Sequence, residues 1–407
     1  MKFIDGGVTA AKGFEAASTA ASIKYKGRTD MALIYSLVPC ISAGTFTTNV
    51  VKAAPVIWDK QVVESGALVQ AVVVNSGIAN ACTGQEGMDI CKRTARATAD
   101  ALNVDPDGVL VASTGVIGMQ LPMDRICEGI KALANTKALG RSAGHKAALA
   151  IMTTDTKEKE AAVEVEIGGR MVTIGGMSKG SGMIHPNMCT MLAFLCTDAA
   201  ITKSALQKAL SEVVNDTYNM ISVDGDTSTN DTCLLLANGL TGNPLITEDT
   251  EDYETFKAAL YALNEKLAKK MAGDGEGATA LLEVRMTGCE SVSQARIMAK
   301  SVVCSSLVKT AIAGRDANWG RILCAMGYSG EQFDPEKVDL YFESAAGKIC
   351  IVKDGVATDY SEEEATEILK QEAVSIIAHV HMGSCQAVAW GCDLTHGYID
   401  INADYRS

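Results

Sequence analysis

The sequence contains few histidines and no cysteine pair of the kind that binds metal. Five of its 407 residues are histidine, and the thirteen cysteines include no Cys-x-x-Cys motif. The histidines form no Ser/His/Asp pattern and no i,i+4 zinc pair, so neither a histidine-based triad nor a metal site is expected. The cysteines are odd in number and stand singly in apolar stretches. They are therefore expected to be reduced core thiols in a reducing cytoplasm.

Positive charge and long apolar runs are scarce as well. The formal net charge is −13, which disfavours a nucleic-acid surface and would repel an anionic substrate unless a local cation attracts it. No apolar run is long enough to span a membrane, and the N-terminal residues Met1–Gly6 do not resemble a signal peptide. The sequence predicts a soluble cytoplasmic protein that binds neither nucleic acid nor membrane.

A chain of 407 residues is too long for one ordinary domain. No repeat or low-complexity linker marks a domain boundary, but the sequence pattern changes to that of a long helix just after Thr287–Gly288. The prediction is a larger unit over residues 1–287 and a smaller α/β unit over residues 288–407.

The elements expected from periodicity alternate between strands and helices. Glycines 168 and 169 separate two alternating segments, which predicts a hairpin of Val163–Ile167 with Arg170–Ile174. In the helix expected near the C-terminus, His379 and His381 would point to opposite sides. The apolar runs expected to be buried strands are Ala67–Val74, Val109–Ala112 and Met191–Cys196, and the expected helices include residues 89–102, 124–135, 145–152, 203–218, 251–271 and 361–382.

One stretch, Met177–Leu192, suits a nucleophile. A glycine-rich loop that carries Lys179 leads into Thr190, which would begin a buried strand. The alternative is that the glycines only make a turn and Thr190 merely starts the strand.

A second stretch suits an oxyanion site. The strand at Val109–Ala112 is expected to break at Thr114–Gly115, where a freed N–H and the threonine hydroxyl could stabilise negative charge. A plain strand-ending turn is equally compatible with this spacing.

The residues alone do not decide whether three further polar segments have a functional role. The run Thr153–Thr156 is typical of a turn or a helix cap. The run Asp224–Asp231 resembles a calcium loop but lacks the required glycine and glutamate spacing, which favours a polar loop near a site. Glu276 stands between two glycines, where a carboxylate is usually just solvated.

The string from Lys179 to Leu192, Lys-Gly-Ser-Gly-Met-Ile-x-Pro-Asn-Met-x-Thr-Met-Leu, closely resembles the self-cleavage site of the ornithine acetyltransferase family (glutamate N-acetyltransferases of arginine biosynthesis). The resemblance extends from Gly7–Ala11 to Asn402–Ser407. In that family the chain cuts itself before the threonine, which becomes the N-terminal nucleophile of a β chain. The implied fragments are 1–189 and 190–407. One residue departs from the pattern, since Cys189 stands where the family usually has alanine.

The resemblance also assigns the site. It places the oxyanion hole on Thr114 and Gly115, with a C-terminal tail that folds back into the site. Lys179 would hold a substrate carboxylate, and Glu276 could meet the ornithine ammonium. The substrate contacts implied by the family are Thr153, Lys179, Thr190, Glu276, Asn402 and Ser407, and no metal is implied.

The expected chemistry follows from Thr190. A threonine hydroxyl is a weak nucleophile and needs a base. Attack on the Cys189 carbonyl, followed by hydrolysis of the ester, would free the α-amino group of Thr190. The pKa of that group, about 7.7–8.0, suits proton transfer. A histidine base is then unnecessary.

By resemblance, N-acetylornithine acetylates Thr190 and glutamate then takes the acetyl group. No cofactor is implied, although acetyl-CoA could serve as a second acetyl donor. The rivals are a self-processing aminopeptidase or amidase, in which water resolves the acyl-enzyme, and a non-catalytic binding protein. The family implies a four-layer α/β/β/α sandwich resembling N-terminal nucleophile hydrolases. It also implies a heterotetramer of two α and two β fragments.

Overall fold

The structure is a computed structural model that describes residues 1–185 and 191–403. The chain forms two compact units. The first comprises Met1–Gly180, Pro186–Tyr218 and Thr227–Leu267, and the second comprises Ser181–His185, Asn219–Asp226 and Ala268–Ser407.

The described residues form sixteen strands and eleven α-helices. The strands are β1 Lys2–Ile4, β2 Phe14–Thr19, β3 Met31–Phe46, β4 Val69–Ile78, β5 Val109–Val116, β6 Lys159–Ile167, β7 Arg170–Lys179, β8 Leu192–Thr197, β9 Ile221–Ser222, β10 Thr232–Ala237, β11 Leu281–Cys289, β12 Asp339–Ser344, β13 Gly347–Lys353, β14 Val356–Ala357, β15 Ala373–His379 and β16 Cys385–Cys392. The helices are α1 Ala54–Ser65, α2 Gly84–Leu102, α3 Met123–Thr136, α4 Arg141–Ala150, α5 Lys203–Asp216, α6 Glu251–Gly273, α7 Val292–Cys304, α8 Ser306–Ala313, α9 Trp319–Gly327, α10 Glu362–Leu369 and α11 His396–Asn402.

The first unit is built on a nine-stranded mixed sheet. Its order is β1-β6-β7-β8-β10-β3-β4-β5, with β2 paired to β3. Strands β8 and β10 lie inside the sheet and are buried along their whole length, as expected for apolar runs covered on both faces. In the register, Leu192 of β8 lies opposite Lys179 on one side and Thr232 on the other. These three strand ends carry the candidate site.

The second unit has a seven-stranded sheet of order β14-β13-β12-β15-β11-β16-β9. Strand β11 pairs in parallel with β15 and antiparallel with β16. Helix α7 packs on β11 and β16 and turns a buried face toward them that includes Ala295, Met298 and Val302. The core of this unit therefore lies between α7 and the middle of its sheet.

Several local predictions are confirmed. The hairpin forms between β6 and β7, and both of its turn glycines have positive φ, 56° at Gly168 and 74° at Gly169. Helix α5 begins where its cap predicts, because the Thr202 side chain accepts a hydrogen bond from the N–H of Ala205. The run expected at Met191–Cys196 is β8.

The long helix predicted over residues 361–382 is wrong. Helix α10 ends at Leu369, and the chain continues as β15 between β12 and β11. The buried residues Val374, Ile376 and Ala378 alternate with less buried positions in this strand, and pairing on both sides satisfies its backbone. His379 and His381 consequently do not lie on a helix, and their rings are in edge contact with centroids 4.0 Å apart.

Two other predictions differ from the structure. The expected break at Thr114–Gly115 does not occur, since β5 continues to Val116 and Gly115 pairs with Gly77 of β4. The boundary expected at Thr287–Gly288 lies inside β11, whose pairing places both residues in the second unit.

The predicted mixed α/β class with two sheets is confirmed, and the four-layer stacking stays a prediction. Within the described ranges, no helix is long and apolar enough to cross a membrane. The twelve cysteines of these ranges are all free thiols, of which Cys82 and Cys324 are exposed.

Candidate active site

Lys179 is the last residue of β7 and is buried, with 8% of its surface exposed. Its ammonium donates to the hydroxyl of Thr114 at 3.4 Å. It also lies opposite the first residue of β8, two positions after Thr190 in the sequence. Cys189 and Thr190 themselves lie outside the described residues. The structure therefore brings the predicted carboxylate-binding cation next to the predicted oxyanion threonine.

A buried carboxylate, Asp155, orders the surroundings of Lys179. Its oxygens lie 2.7 Å from the Lys159 ammonium and 3.9 Å from that of Lys179, and they accept the N–H groups of Gly180 and Thr153 at 2.7 and 3.0 Å. Burial would raise the pKa of Asp155, but the two ammonium charges and these hydrogen bonds outweigh it and hold the pKa well below its usual range. One carboxylate thus fixes the start of the cleavage loop and the predicted substrate contact Thr153.

Gly115 makes the closest main-chain approach at the site. Its φ is +130°, and a Cβ placed on it would lie 2.3 Å from the carbonyl carbon of Gly77. No side chain fits in that space without moving the neighbouring strand, so the residue after Thr114 has to be glycine. This contact determines the path of the main chain at the predicted oxyanion hole.

Asn230 also positions the main chain here, although sequence analysis placed it only in a polar loop. Its side-chain amide donates to the carbonyls of Ala79 and Ser113 at 2.6 and 2.8 Å. Ser113 directly precedes Thr114. The signal that could have drawn attention to Asn230 is its place near the end of a polar loop, two residues before the buried strand β10.

The next residue, Asp231, is 2% exposed. Burial raises its pKa well above the usual range, although the Ser228 side chain, the Lys179 charge and the Met191 N–H oppose the shift. Thr232 of β10 pairs with Leu192 of β8. The residues that precede this pair, Asp231 and Met191, are therefore also neighbours. A carboxyl that tends to keep its proton therefore lies close to the residue that follows Thr190.

In the second unit, Glu276 and Asn402 lie together. Glu276 is 7% exposed, and its carboxylate accepts a hydrogen bond from the Asn402 amide at 2.7 Å. Its N–H donates to the carbonyl of Ser181 at 2.9 Å, and Gly182 packs against its carboxylate. Two predicted substrate contacts thus lie beside the start of the cleavage loop. The third C-terminal contact, Ser407, lies outside the described residues.

Asp224 holds the next residues of that loop. Its carboxylate accepts the N–H groups of Met183 and Ile184 at 2.6 and 2.8 Å and the hydroxyl of Tyr398 at 3.3 Å. These hydrogen bonds account for the acidic residue at the start of the run Asp224–Asp231 without a calcium ion. In the part of the chain that the structure describes, no three His, Cys, Asp or Glu side chains are grouped to hold a metal.

The arrangement in the first unit suits acyl transfer. A hydroxyl and a main-chain N–H at Thr114–Gly115 are the donor types that stabilise an oxyanion. A buried lysine beside them can pair with a carboxylate in a strongly acidic protein. The fold and these donors define the class, an α/β protein with a candidate acyl-transfer site where the end of β7 approaches the edge strand β5.

Comparison with known proteins identifies the family. The model of the ArgJ family matches residues 15–407. The arginine biosynthesis bifunctional protein ArgJ of Symbiobacterium thermophilum is 53% identical over 409 residues, with 100% of both chains covered. The protein of the same name from Thermotoga neapolitana is 50% identical, with 97% of this chain and 99% of its own covered.

A solved structure agrees with these matches. The crystal structure of arginine biosynthesis bifunctional protein ArgJ from Bacillus halodurans has 48% sequence identity and a TM-score of 0.51, and it covers 53% of this chain and 99% of the solved chain. The chain belongs to the ArgJ family. The resemblance to ornithine acetyltransferases seen in the sequence is thereby confirmed.

Proposed function

We propose that this protein is an acyltransferase of arginine biosynthesis that moves the acetyl group of N2-acetyl-L-ornithine to L-glutamate through an acetyl-Thr190 intermediate. The observation that carries the proposal is the buried Lys179 ammonium beside the Thr114 hydroxyl. Both substrates bear a carboxylate, and a chain with net charge −13 needs such a cation to attract them. The relatives, named as bifunctional proteins of arginine biosynthesis, support this assignment.

Self-cleavage comes first in this mechanism. The Thr190 hydroxyl attacks the Cys189 carbonyl carbon, the peptide C–N bond breaks, and the resulting ester is hydrolysed by water. The products are fragments 1–189 and 190–407. The length of the crystallised relative is consistent with such a cut, because it covers 53% of this chain and residues 190–407 are 218 of the 407 residues.

Acetyl transfer then uses the amino group freed by cleavage. This amine takes the proton of the Thr190 hydroxyl as the hydroxyl attacks the acetyl carbonyl, and ornithine leaves with a proton on its nitrogen. In the second half-reaction the amine of glutamate attacks the acetyl ester, the ester C–O bond breaks, and the Thr190 oxygen takes back a proton as N-acetylglutamate leaves. The Thr114 hydroxyl and the Gly115 N–H would stabilise each oxyanion, and losing one such donor costs about 3–4 kcal/mol of barrier.

The substrates carry carboxylates and, on ornithine, an ammonium group, so the protein has to supply both a cation and an anion. Lys179 would take a carboxylate, and Glu276, held by Asn402, would take the ornithine ammonium. Thr153 and Ser407 are proposed as further contacts on the basis of the family resemblance. We propose no cofactor, a cytoplasmic location, and a heterotetramer of two α and two β fragments.

Replacement of the nucleophile tests the proposal. Thr190→Ala should yield only the intact chain on mass spectrometry and no acetyl transfer from N-acetylornithine. Cys189→Ala is the matched control and should be cleaved and active, because only the carbonyl of residue 189 takes part. A wild-type protein that is active but consists only of uncut 407-residue chain would refute the cleavage step.

A second acetyl donor is the other candidate activity. The word bifunctional in the names of the relatives favours acetyl-CoA-dependent synthesis of N-acetylglutamate. An assay with acetyl-CoA in place of N-acetylornithine tests it directly. Release of acetate at the same rate with and without glutamate would instead favour the amidase alternative, in which water resolves the acyl-enzyme.

A further inference from the structure

The second unit contains a cavity of about 590 Å³ between α8 and the chain that leads into α11. This volume is in the range of small-molecule sites. Among the residues that the structure describes, none of the predicted site residues lines it. We therefore consider which ligand this cavity could bind separately from the substrates of the acetyl-transfer site.

One face of α8 forms a wall of the cavity. Ser306, Lys309, Thr310 and Ala313 line it and recur at the spacing of neighbouring turns of a helix. The facing segment contributes apolar side chains and hydroxyls, namely Leu394, Thr395, Tyr398 and Ile399. The cavity thus combines an apolar lining with several hydroxyl groups, one lysine and the carboxylate of Asp224.

That lysine, Lys309, is 3% exposed. Its ammonium donates to the carbonyl of Cys392 and lies 3.5 Å from the Cys392 sulfur. Within the described ranges it forms no ion pair. A buried charge is normally paired, and an ammonium has three N–H donors, so among the described residues this one has a donor left over and no ion-pair partner.

The carboxylates nearest in sequence or in the cavity wall are already engaged. Asp393 accepts the N–H groups of Thr279 and Ala280 and the hydroxyl of Thr279. Asp224, which lines the cavity, accepts two main-chain N–H groups and the hydroxyl of Tyr398. A ligand could therefore supply the counter-charge that these carboxylates do not give to Lys309.

We propose that this cavity binds a small organic carboxylate, with its anionic group on Lys309 and its apolar body against Leu394, Ile399 and Ala313. A singly charged group matches one ammonium with one remaining donor better than a phosphate dianion does. The hydroxyls of Thr310 and Thr395 already donate to the carbonyls of Leu307 and Gly277, so Lys309 is the charged donor for the ligand. This site does not depend on the proposed acetyl transfer, because its occupancy can be measured without turnover.

The test is a fluorine NMR titration of the full-length protein with ω-trifluorobutyrate. Lys309→Met removes the charge at similar length and should weaken binding about tenfold or more. Ala313→Leu narrows the cavity on the apolar side and leaves the charge in place, and it should weaken binding comparably. Lys179→Ala alters the proposed active site and should leave the probe affinity unchanged.

Two further ligands complete the experiment. The neutral ω-trifluorobutyramide has the same shape and should bind at least tenfold more weakly than the carboxylate if the anion is recognised. Inorganic phosphate should not displace the probe. Equal binding of the amide, tighter binding of phosphate, or unchanged affinity in both folded cavity variants would overturn the proposal.

Discussion

The side-chain amide of Asn230 donates a hydrogen bond of 2.8 Å to the main-chain carbonyl of Ser113. A second bond from the same amide reaches the carbonyl of Ala79 at 2.6 Å. Because Ser113 precedes Thr114 and Gly115, Asn230 connects the end of the polar loop to the chain that carries the predicted oxyanion donors. Asn230 is therefore a positioning residue for those donors.

The first prediction concerns Asn230→Asp. The change keeps the shape but sets a carboxylate against two carbonyl oxygens, which should shift the chain at Thr114. We expect kcat for acetyl transfer to fall about tenfold or more with little change in KM, because only transition-state stabilisation is lost. Steady-state kinetics on fully cleaved protein measures both constants.

Asn243→Asp provides the control for this experiment. The Asn243 amide also donates to two carbonyls, those of Ala200 and Pro244, but takes no part in the candidate site. Its variant should keep normal kcat. A folded Asn230→Asp protein with normal kcat would show that this hydrogen bond has no positioning role.

The second prediction concerns Lys179→Ala. The loss of a charge-assisted hydrogen bond of about 1.5–3 kcal/mol should raise the apparent KM for N-acetylornithine or glutamate roughly tenfold to a hundredfold. Asp155 would keep its closer partner Lys159 at 2.7 Å, so the fold should survive.

Lys60→Ala makes the same charge change on the surface and should leave KM unchanged. Processing is checked first by gel, since Lys179 adjoins the cleavage loop. Normal KM for both substrates in processed Lys179→Ala would mean that another group binds the carboxylate.

The third prediction concerns Gly182→Ala. A Cβ at this position would lie 2.4 Å from the Glu276 carboxyl group, which is the movable end of a side chain. Stability should therefore change little, while displacement of Glu276 from Asn402 should raise the KM for N-acetylornithine. Gly327→Ala is the control, because no atom lies within 4 Å of its added Cβ. An unchanged KM in cleaved Gly182→Ala would argue against Glu276 as a substrate contact.

The fourth prediction concerns Asp155→Asn and the pH dependence of stability. The pKa of Asp155 is lowered in the folded state, so its contribution is present above the unfolded pKa of about 4 and is lost as pH falls below it. Asparagine does not titrate and leaves the buried Lys159 without its carboxylate, which should cost about 3–5 kcal/mol near neutral pH. Urea unfolding from neutral pH into this acid range should show a large loss at neutral pH and a flatter acid decline.

Asp334→Asn is the control for this pH profile. Asp334 also has a lowered pKa and pairs with Lys337 at 3.0 Å, but on the surface, where the effect on stability should be small. If Asp155→Asn destabilised the protein no more than Asp334→Asn, the buried carboxylate would not anchor the loop as described.

Sequence reasoning succeeded where the deciding signal is local. The strand β8 and the β6–β7 hairpin follow from an apolar run and from two adjacent glycines. It failed at residues 373–379, where a helix was predicted and β15 forms. That segment gains its hydrogen bonds from β11 and β12, and residues 281–289 and 339–344 are too distant in sequence to enter a local pattern.

The residues of the candidate site also fall into those that a local sequence signal marks and those that only the fold reveals. The sequence by itself determined the loop-to-strand stretch at Lys179–Leu192 and, through it, the family, because those residues are consecutive. Only the tertiary structure decided that Asp155 holds Lys179 and Gly180 and that Asn230 holds Ser113, 117 positions away. Asp155 and Asn230 are small polar residues in turns and loops and show no local pattern that would mark them. Their role depends on which carbonyl or ammonium the folded sheet places within hydrogen-bond distance.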